Sequence, residues 1–242
     1  MLYLIGLGLN DEGDVTLKAV DAIKNSDRVY CEFFTNKWHG SLQKIEDLTG
    51  KKIKVIERTK VESDFLIAEA RTKTVALLIP GDPLSATTHF QLLLDAKKEK
   101  IETKIIHASS IFTAIAETGL HLYKFGRATT LTYPEQGFNP DSPINVIKSN
   151  KENDLHTLVL LDVKQDQNKY MTINEALDIL LSKGFDEKEK IIACCMLGGI
   201  AKIRYNAIKE LKKEKMEDVP AVIIVPGILN FKEEEALELW KN

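Results

Sequence analysis

Two segments of the chain combine residue types suited to holding a small polar ligand. The first, Gly6-Leu7-Gly8-Leu9-Asn10-Asp11, follows a short apolar run and precedes an amphipathic stretch. Glycines at such a strand-to-helix turn let the backbone bend tightly and come close to a ligand, as in dinucleotide sites. A dinucleotide fingerprint places a third glycine at position 11 and an acidic residue about 20 positions further on. Position 11 is aspartate, which would repel a pyrophosphate. Alone, the loop reads equally well as an ordinary turn and as a ligand site. The second segment is Pro80-Gly81-Asp82-Pro83-Leu84-Ser85-Ala86-Thr87-Thr88-His89, directly after an apolar run. Its two prolines and glycine fix the backbone, and they leave the Asp82 carboxylate at a strand's carboxyl end, where open α/β sheets bind ligands. The competing reading, of equal weight, is that Asp82 supports the turn and Thr87 or Thr88 caps the next helix. His89 reads as a helix-start residue rather than a general base.

Other chemistries lack their signatures. No Ser-His-Asp order, phosphate-binding glycine-lysine loop or metal-spaced set of His and Cys stands out, so no metal is expected and no catalytic residue is named. The three cysteines, Cys31, Cys194 and Cys195, form neither a disulfide framework nor a Cys-x-x-Cys pair, and are expected to pack in a reducing compartment. With 33 basic and 36 acidic side chains among 242 residues, the chain has no basic arm or acidic tail to attract a nucleic acid. The start, MLYLIGLGLND, lacks a cationic n-region and cleavage site, and no apolar run approaches the roughly 20 residues of a membrane span. A cytoplasmic protein without a membrane partner is the expectation.

The elements that must position these segments follow from periodicity. Short apolar runs alternating with amphipathic stretches predict βα units, an α/β fold and a largely parallel sheet. Strands are predicted at 2–5, 28–31, 54–56, 75–79 and 104–106, with helical patterns at 42–47, 64–73 and 89–98; Asp14 is placed as the cap of a further helix bearing Leu17, Val20 and Ile23. After Lys124 the texture changes. Residues 133–156 hold three of the seven prolines with several Asn and Asp, and read as a long excursion. Strands at 157–163, 191–197 and 221–225 follow, with a terminal helix at 233–240. The clearest helix opens at Thr172, where Glu175 completes a capping box and Gly184 ends the pattern. Two α/β domains are expected, 1–110 and 111–242.

Considered together, the segments MLYLIGLGLNDEGDVTLKAVDAIKNSDRVYCEFFT, PGDPLSATTH, HASSIFTAIAETGLHLYKFG, LVLLDVK and AVIIVPGILNF resemble the tetrapyrrole methylase superfamily, and within it the archaeal diphthine synthase family, in order and over essentially the full length. The G-x-G-x-x-D opening is shared across the superfamily; P-G-D-P-x-x-A-T-T-H with H-A-S-S-I is specific to the narrower family. The resemblance implies a two-domain α/β homodimer with S-adenosylmethionine in a cleft between the domains and S-adenosylhomocysteine as product. It implies methylation of the amino group of a 3-amino-3-carboxypropyl chain on a histidine of elongation factor two, giving diphthine. Matching segments carry over cofactor contacts at Leu9, Asp82, Ser85, Ser110 and Ile111, and at Leu161, Leu197 and Ala221. Two positions depart from the pattern: Ala221 and Asn230 stand where the family commonly has histidine.

Methyl transfer from a sulfonium needs an unprotonated amine held in line and water kept away, which is positioning and exclusion. The same chemistry on a corrin or other tetrapyrrole is the alternative reading. A nicotinamide-dependent dehydrogenase is opposed by Asp11, and a non-catalytic binding module remains a third class. The acceptor's carboxylate calls for a cation. Lys164, just beyond the strand at 157–163, is the first choice, ahead of Lys169, Lys124 and Arg127.

Overall fold

A computed structural model describes residues 1–135 and 137–241. The chain divides into two compact units, Met1–Ile111 and Phe112–Asn242.

The first unit runs β1 (Leu2–Gly6), α1 (Leu17–Lys24), β2 (Arg28–Cys31), α2 (Leu42–Thr49), β3 (Ile53–Val55), α3 (Arg58–Val61), α4 (Phe65–Ala70), β4 (Val75–Ile79), α5 (Phe90–Lys98) and β5 (Thr103–Ile106), with the short α6 (Ile111–Ala114) at its end. The five strands are parallel, in the order β3-β2-β4-β1-β5. Strand β4 is buried along its whole length, the pattern of a strand covered on both faces. Its alternate residues serve two cores. Val75, Leu77 and Ile79 pack with Leu66, Ile67, Leu92 and Ala96 of α4 and α5. Ala76 and Leu78 face Ala19, Ile23 and Ile45 of α1 and α2. Connections on one face therefore move outward toward β3, and those on the other toward β5. The helix at 64–73 proves to be the shorter α4, with α3 preceding it outside that span, and Asp14 does not cap α1. Thr16 does, accepting from the Ala19 N–H, while Asp14 binds the Asn10 N–H at 2.8 Å and braces the glycine loop.

The second unit contains β6 (Thr129–Leu131), α7 (Ser142–Glu152), β7 (Thr157–Leu161), the two-residue strands β8 (Val163–Lys164) and β9 (Lys169–Tyr170), α8 (Ile173–Ser182), β10 (Lys190–Cys195), β11 (Lys202–Ala207), α9 (Ile208–Leu211), β12 (Ala221–Val225) and α10 (Phe231–Leu237). Its five-stranded sheet, ordered β11-β10-β12-β7-β6, is antiparallel except for the β6–β7 pair, which corrects the expectation of a largely parallel arrangement. The excursion at 133–156 contains α7, whose Ile144 and Ile147 enter the core while Pro143 occupies its first turn, a position where the missing N–H costs nothing. Strand β11 escaped the sequence reading because K-I-R-Y-N-A alternates buried and half-buried residues with no long apolar run. The Thr172 capping box forms as read, with Glu175 reaching back to the Thr172 N–H at 2.9 Å. All three cysteines are buried free thiols; burial raises each above the usual thiol range, that of Cys195 to about 11.

Candidate functional site

In the first unit three loops meet at the carboxyl edge of the adjacent strands β4, β1 and β5. The glycine loop after β1 and the Pro-Gly-Asp-Pro loop after β4 are joined as if the sheet continued: the Leu7 N–H donates to the Ile79 carbonyl at 2.8 Å, and Gly8 and Gly81 exchange N–H···O bonds of 3.2 and 2.8 Å. Gly6 makes this approach possible. A Cβ there would lie 2.6 Å from the Gly81 carbonyl oxygen and 3.0 Å from Pro83 Cδ in the loop after β4, and 2.7 Å from Ala108 Cβ in the loop after β5. Leu9 is buried on this platform. The Asp11 carboxylate is used locally, accepting from the Gly13 N–H and the Asn10 amide, both at 2.8 Å.

Asp82 is only 7% exposed, and its carboxylate turns into the fold. One oxygen accepts from the Leu84 N–H at 3.0 Å and from the Ser85 hydroxyl at 3.2 Å. The other lies 2.7 Å from His107 Nδ1 and accepts from the Ala108 N–H at 3.4 Å. Burial raises its pKa, but the bonds from Leu84, His107 and Ala108 outweigh that and hold the carboxyl below its ordinary value. Asp82 thus ties the loop after β4 to the loop after β5, and the turn-supporting alternative describes its contacts. Ser85 belongs to the same knot. Ser110 is buried just beyond it, and Ile111 opens α6. The structure so brings Leu9, Asp82, Ser85, Ser110 and Ile111 to one edge. Neither Thr87 nor Thr88 caps α5: His89 holds that position without a side-chain cap bond, and the Thr87 hydroxyl donates to the Pro83 carbonyl while accepting from the His89 N–H.

The connection after β2 leaves toward β3 and that after β4 toward β5, so the two diverge between adjacent strands. This is the switch-point crevice at which open α/β sheets bind ligands. Glu32 and His89 stand beside it. Glu32 follows β2, is fully buried, and binds the Leu78 carbonyl of β4 through its N–H. Its carboxyl accepts from the Thr35 hydroxyl at 2.5 Å and the Thr35 N–H at 3.0 Å. Burial nevertheless raises it to about 7. His89 is 2% exposed and stacks on Phe34, and its Nε2 lies 3.8 Å from Glu32 Oε1. Both its ring nitrogens lack a hydrogen-bond partner, and burial lowers its pKa to about 4. Sequence reasoning missed Glu32, His107 and the pairing of Glu32 with His89. The available signal for Glu32 was an acid ending the apolar run R-V-Y-C.

In the second unit antiparallel pairing places Leu161, Leu197 and Ala221 on one sheet edge. Ala221 opens β12 opposite Cys195, which ends β10, and Val222 pairs with Leu160, one residue before the end of β7. Leu197 is buried between Met196 and Gly198, both at positive φ, and Glu117 accepts from the Gly198 N–H at 3.1 Å. Lys164, in β8, forms an ion pair with Glu135 and lies 5.6 Å from the Tyr133 ring, while Lys169 is 3.7 Å above that ring. Lys124 is structural: it binds the Ile228 carbonyl and, at 2.7 Å, the buried Glu233. Asn230 caps α10, its side chain accepting from the Lys232 and Glu233 N–H groups. Among the described residues no cluster of His, Cys, Asp and Glu could hold a metal, and no helix is long and apolar enough to cross a membrane.

Residues 1–212 match the model of the Tetrapyrrole (Corrin/Porphyrin) Methylases, the class to which this sheet pattern and these loops point. The chain is 43% identical to a diphthine synthase of Methanocaldococcus jannaschii over 98% of both sequences, and 42% identical to one of Methanococcus maripaludis over all of both. Among solved structures it is similar to a diphthine synthase (TM-score 0.91, 35% identity, covering 99% of this chain and 95% of that one). It is also similar to a putative diphthine synthase from Entamoeba histolytica (TM-score 0.92, 34% identity, covering 100% and 98%). The chain belongs to the diphthine synthase family of the tetrapyrrole methylases.

Proposed function

We propose that the protein is an S-adenosylmethionine-dependent N-methyltransferase that methylates the amino group of the 3-amino-3-carboxypropyl-histidine of elongation factor two, giving diphthine. The observation that carries this reading is full-length identity above 40% to diphthine synthases, and it favours the elongation factor over a corrin or other tetrapyrrole acceptor. The cofactor supplies an electrophilic methyl group on a sulfonium. The first unit suits such a ligand in one concrete respect: beside Gly81, at the crest of the joined loops, nothing lies within 4 Å of the place a Cβ would take, so the backbone there is open to close approach. The proposed contacts are Leu9, Ser85, Ser110 and Ile111 in the first unit and Leu161, Leu197 and Ala221 in the second, with Asp82 acting through the loops it ties together. Lys164 is the proposed partner of the acceptor carboxylate. A cytoplasmic homodimer completes the reading.

The chain's task is to orient an amine and exclude water. Incubation with labelled S-adenosylmethionine and an archaeal elongation factor bearing the aminocarboxypropyl group, followed by mass measurement of the histidine peptide, tests the proposal. Added methyl groups on that peptide are expected. Label that enters a corrinoid acceptor and never the peptide would refute it.

A further inference from the structure

Glu32 and His89 take no part in the loop scaffold, yet they are two buried titratable side chains beside the switch-point crevice. A buried imidazole with both nitrogens unpartnered is unusual, because interiors satisfy their polar atoms unless another use prevents it. Its neighbour is a fully buried carboxyl whose one link toward solvent is the half-buried Thr35, through a 2.5 Å hydroxyl bond. Among the described residues, the other charged or titratable groups around the pair are the Cys31 thiol on β2, Arg58 on α3 and Glu62 just after it, which pair with each other at 2.7 Å; Arg58 also lies over the Phe34 ring. Burial raises the Glu32 carboxyl and outweighs the hydrogen bonds from the Thr35 hydroxyl, the Thr35 N–H and the Phe34 N–H, which act to lower it.

We propose that Glu32, reached through the Thr35 hydroxyl and backed by His89, is the proton acceptor that deprotonates the acceptor ammonium before each methyl transfer. The inference rests on the methyltransferase reading above. The chemistry requires a proton sink because the acceptor amine is an ammonium at neutral pH and must expose its lone pair. The acceptor N–H proton passes to Thr35 Oγ1 as the hydroxyl's own proton passes to Glu32 Oε1, leaving a neutral amine and a neutral carboxylic acid. The lone pair then forms the N–CH3 bond as the S–CH3 bond breaks, its electrons staying on sulfur. Glu32 returns its proton to solvent by the reverse path. A carboxyl titrating near neutrality suits the task, since a general base works best with a pKa near the operating pH. His89, its ring stacked on Phe34 and its Nε2 3.8 Å from Glu32 Oε1, is a positioning residue that holds the carboxyl against Thr35. Acid and base environments pushed apart in one crevice are the usual mark of such a pair.

The test joins single-turnover methylation of the modified elongation factor across pH with carbon NMR titration of Glu32 in the ligand-free protein. Wild type is expected to show a rate that rises with pH through the Glu32 transition near 7. Glu32→Gln and Thr35→Val should lose that inflection and fall on the order of 100-fold at neutral pH, recovering in alkali where solvent deprotonates the amine. Calorimetric affinity for S-adenosylmethionine should not change in either. His89→Asn should shift the inflection rather than abolish it. Wild-type pH profiles in both Glu32→Gln and Thr35→Val, or a Glu32 resonance that titrates in the ordinary carboxylate range, would overturn the proposal and leave the function intact. A wild-type enzyme that methylates no elongation factor would overturn the functional reading itself. Thr35→Val keeps the test decisive if Glu32→Gln fails to fold.

Discussion

Replacing Asp82 by alanine separates two roles that a carboxylate in a ligand loop can have. If Asp82 works by tying loops together, Asp82→Ala removes the acceptor from the Leu84 and Ala108 N–H groups, from the Ser85 hydroxyl and from His107. A hydrogen bond to a charged partner contributes about 1.5–3 kcal/mol. The Leu84 bond at 3.0 Å merits that range and the Ala108 bond at 3.4 Å the bottom of it or less. The His107 ring is 67% exposed, so its bond is largely exchanged for water and counts little. A loss of about 2–4 kcal/mol follows, a large share of the 5–15 kcal/mol that holds a typical domain together. Because the folded carboxyl lies below its ordinary pKa, this contribution is present above the unfolded value and lost as pH falls through the folded one. Urea unfolding at pH 7 and at about pH 3, below the ordinary carboxylate value, read by tryptophan fluorescence and circular dichroism, is the assay, with calorimetric binding of S-adenosylmethionine on the pH 7 samples. Stability and affinity should fall together at pH 7, and Asp82→Asn should lose less of both. A variant with the wild-type urea midpoint and no cofactor binding would refute the argument and make Asp82 a direct ligand contact.

Glu233 is fully buried, and although burial raises its pKa, hydrogen bonds from Lys124, His156 and the Asn230 and His121 N–H groups bring it down to about 2. Glu233→Gln should therefore destabilise the second unit by about 3 kcal/mol above pH 4.5, with the difference shrinking as pH falls toward 2, in denaturant melts across that range. Glu32 has the opposite sign. Its folded pKa near 7 exceeds the unfolded 4.5, so stability should decline by up to about 3 kcal/mol as pH rises from 4.5 to 7, and thermal melts of Glu32→Gln should lose that slope. Gly6→Ala drives a methyl into the Gly81 carbonyl and Ala108; about 1–3 kcal/mol of stability and most of the cofactor affinity should go, checked by melting and calorimetry. Lys164→Ala should lower kcat/KM for the modified elongation factor several-fold while leaving cofactor affinity alone; unaltered kinetics would remove Lys164 from the proposed acceptor site.

The first sheet was legible in the sequence because every strand that must be covered on both faces is a continuous apolar run. V-A-L-L-I at Val75–Ile79 and R-V-Y-C at Arg28–Cys31 fall where the runs place them. The antiparallel half was harder, since a strand such as Lys202–Ala207 exposes part of itself and alternates in a pattern that polar loops also produce. Helix α7 hid behind proline and asparagine because composition was read for turns, whereas Ile144 and Ile147 at helical spacing supply the burial. Motif reasoning located the loops of the first edge but left open whether Asp82 meets a ligand or supports the turn, because sequence gives a residue's place on a strand end and not which way its side chain turns.

Glu32 shows a further limit of reading motifs. The glycine and proline segments announce themselves by backbone demands that only those residues meet, so they are visible one residue at a time. A titratable pair is visible only after folding, when an acid at the end of β2 and a histidine at the start of α5, 57 positions apart, are brought within 3.8 Å. Nothing in the local sequence of either distinguishes it from a strand-end acid or a helix-start histidine. The difference arises from strand order: β2 and β4 are neighbours although α2, β3, α3 and α4 separate them along the chain, and their connections part in opposite directions. The backbone scaffold at the β4, β1 and β5 ends and the titratable pair at the β2 and β4 ends therefore share one strand, β4, whose loop carries both Asp82 and His89. A change at Asp82 that loosens that loop should for this reason move the Glu32 titration as well, which ties the stability argument and the proton argument to a single measurable shift.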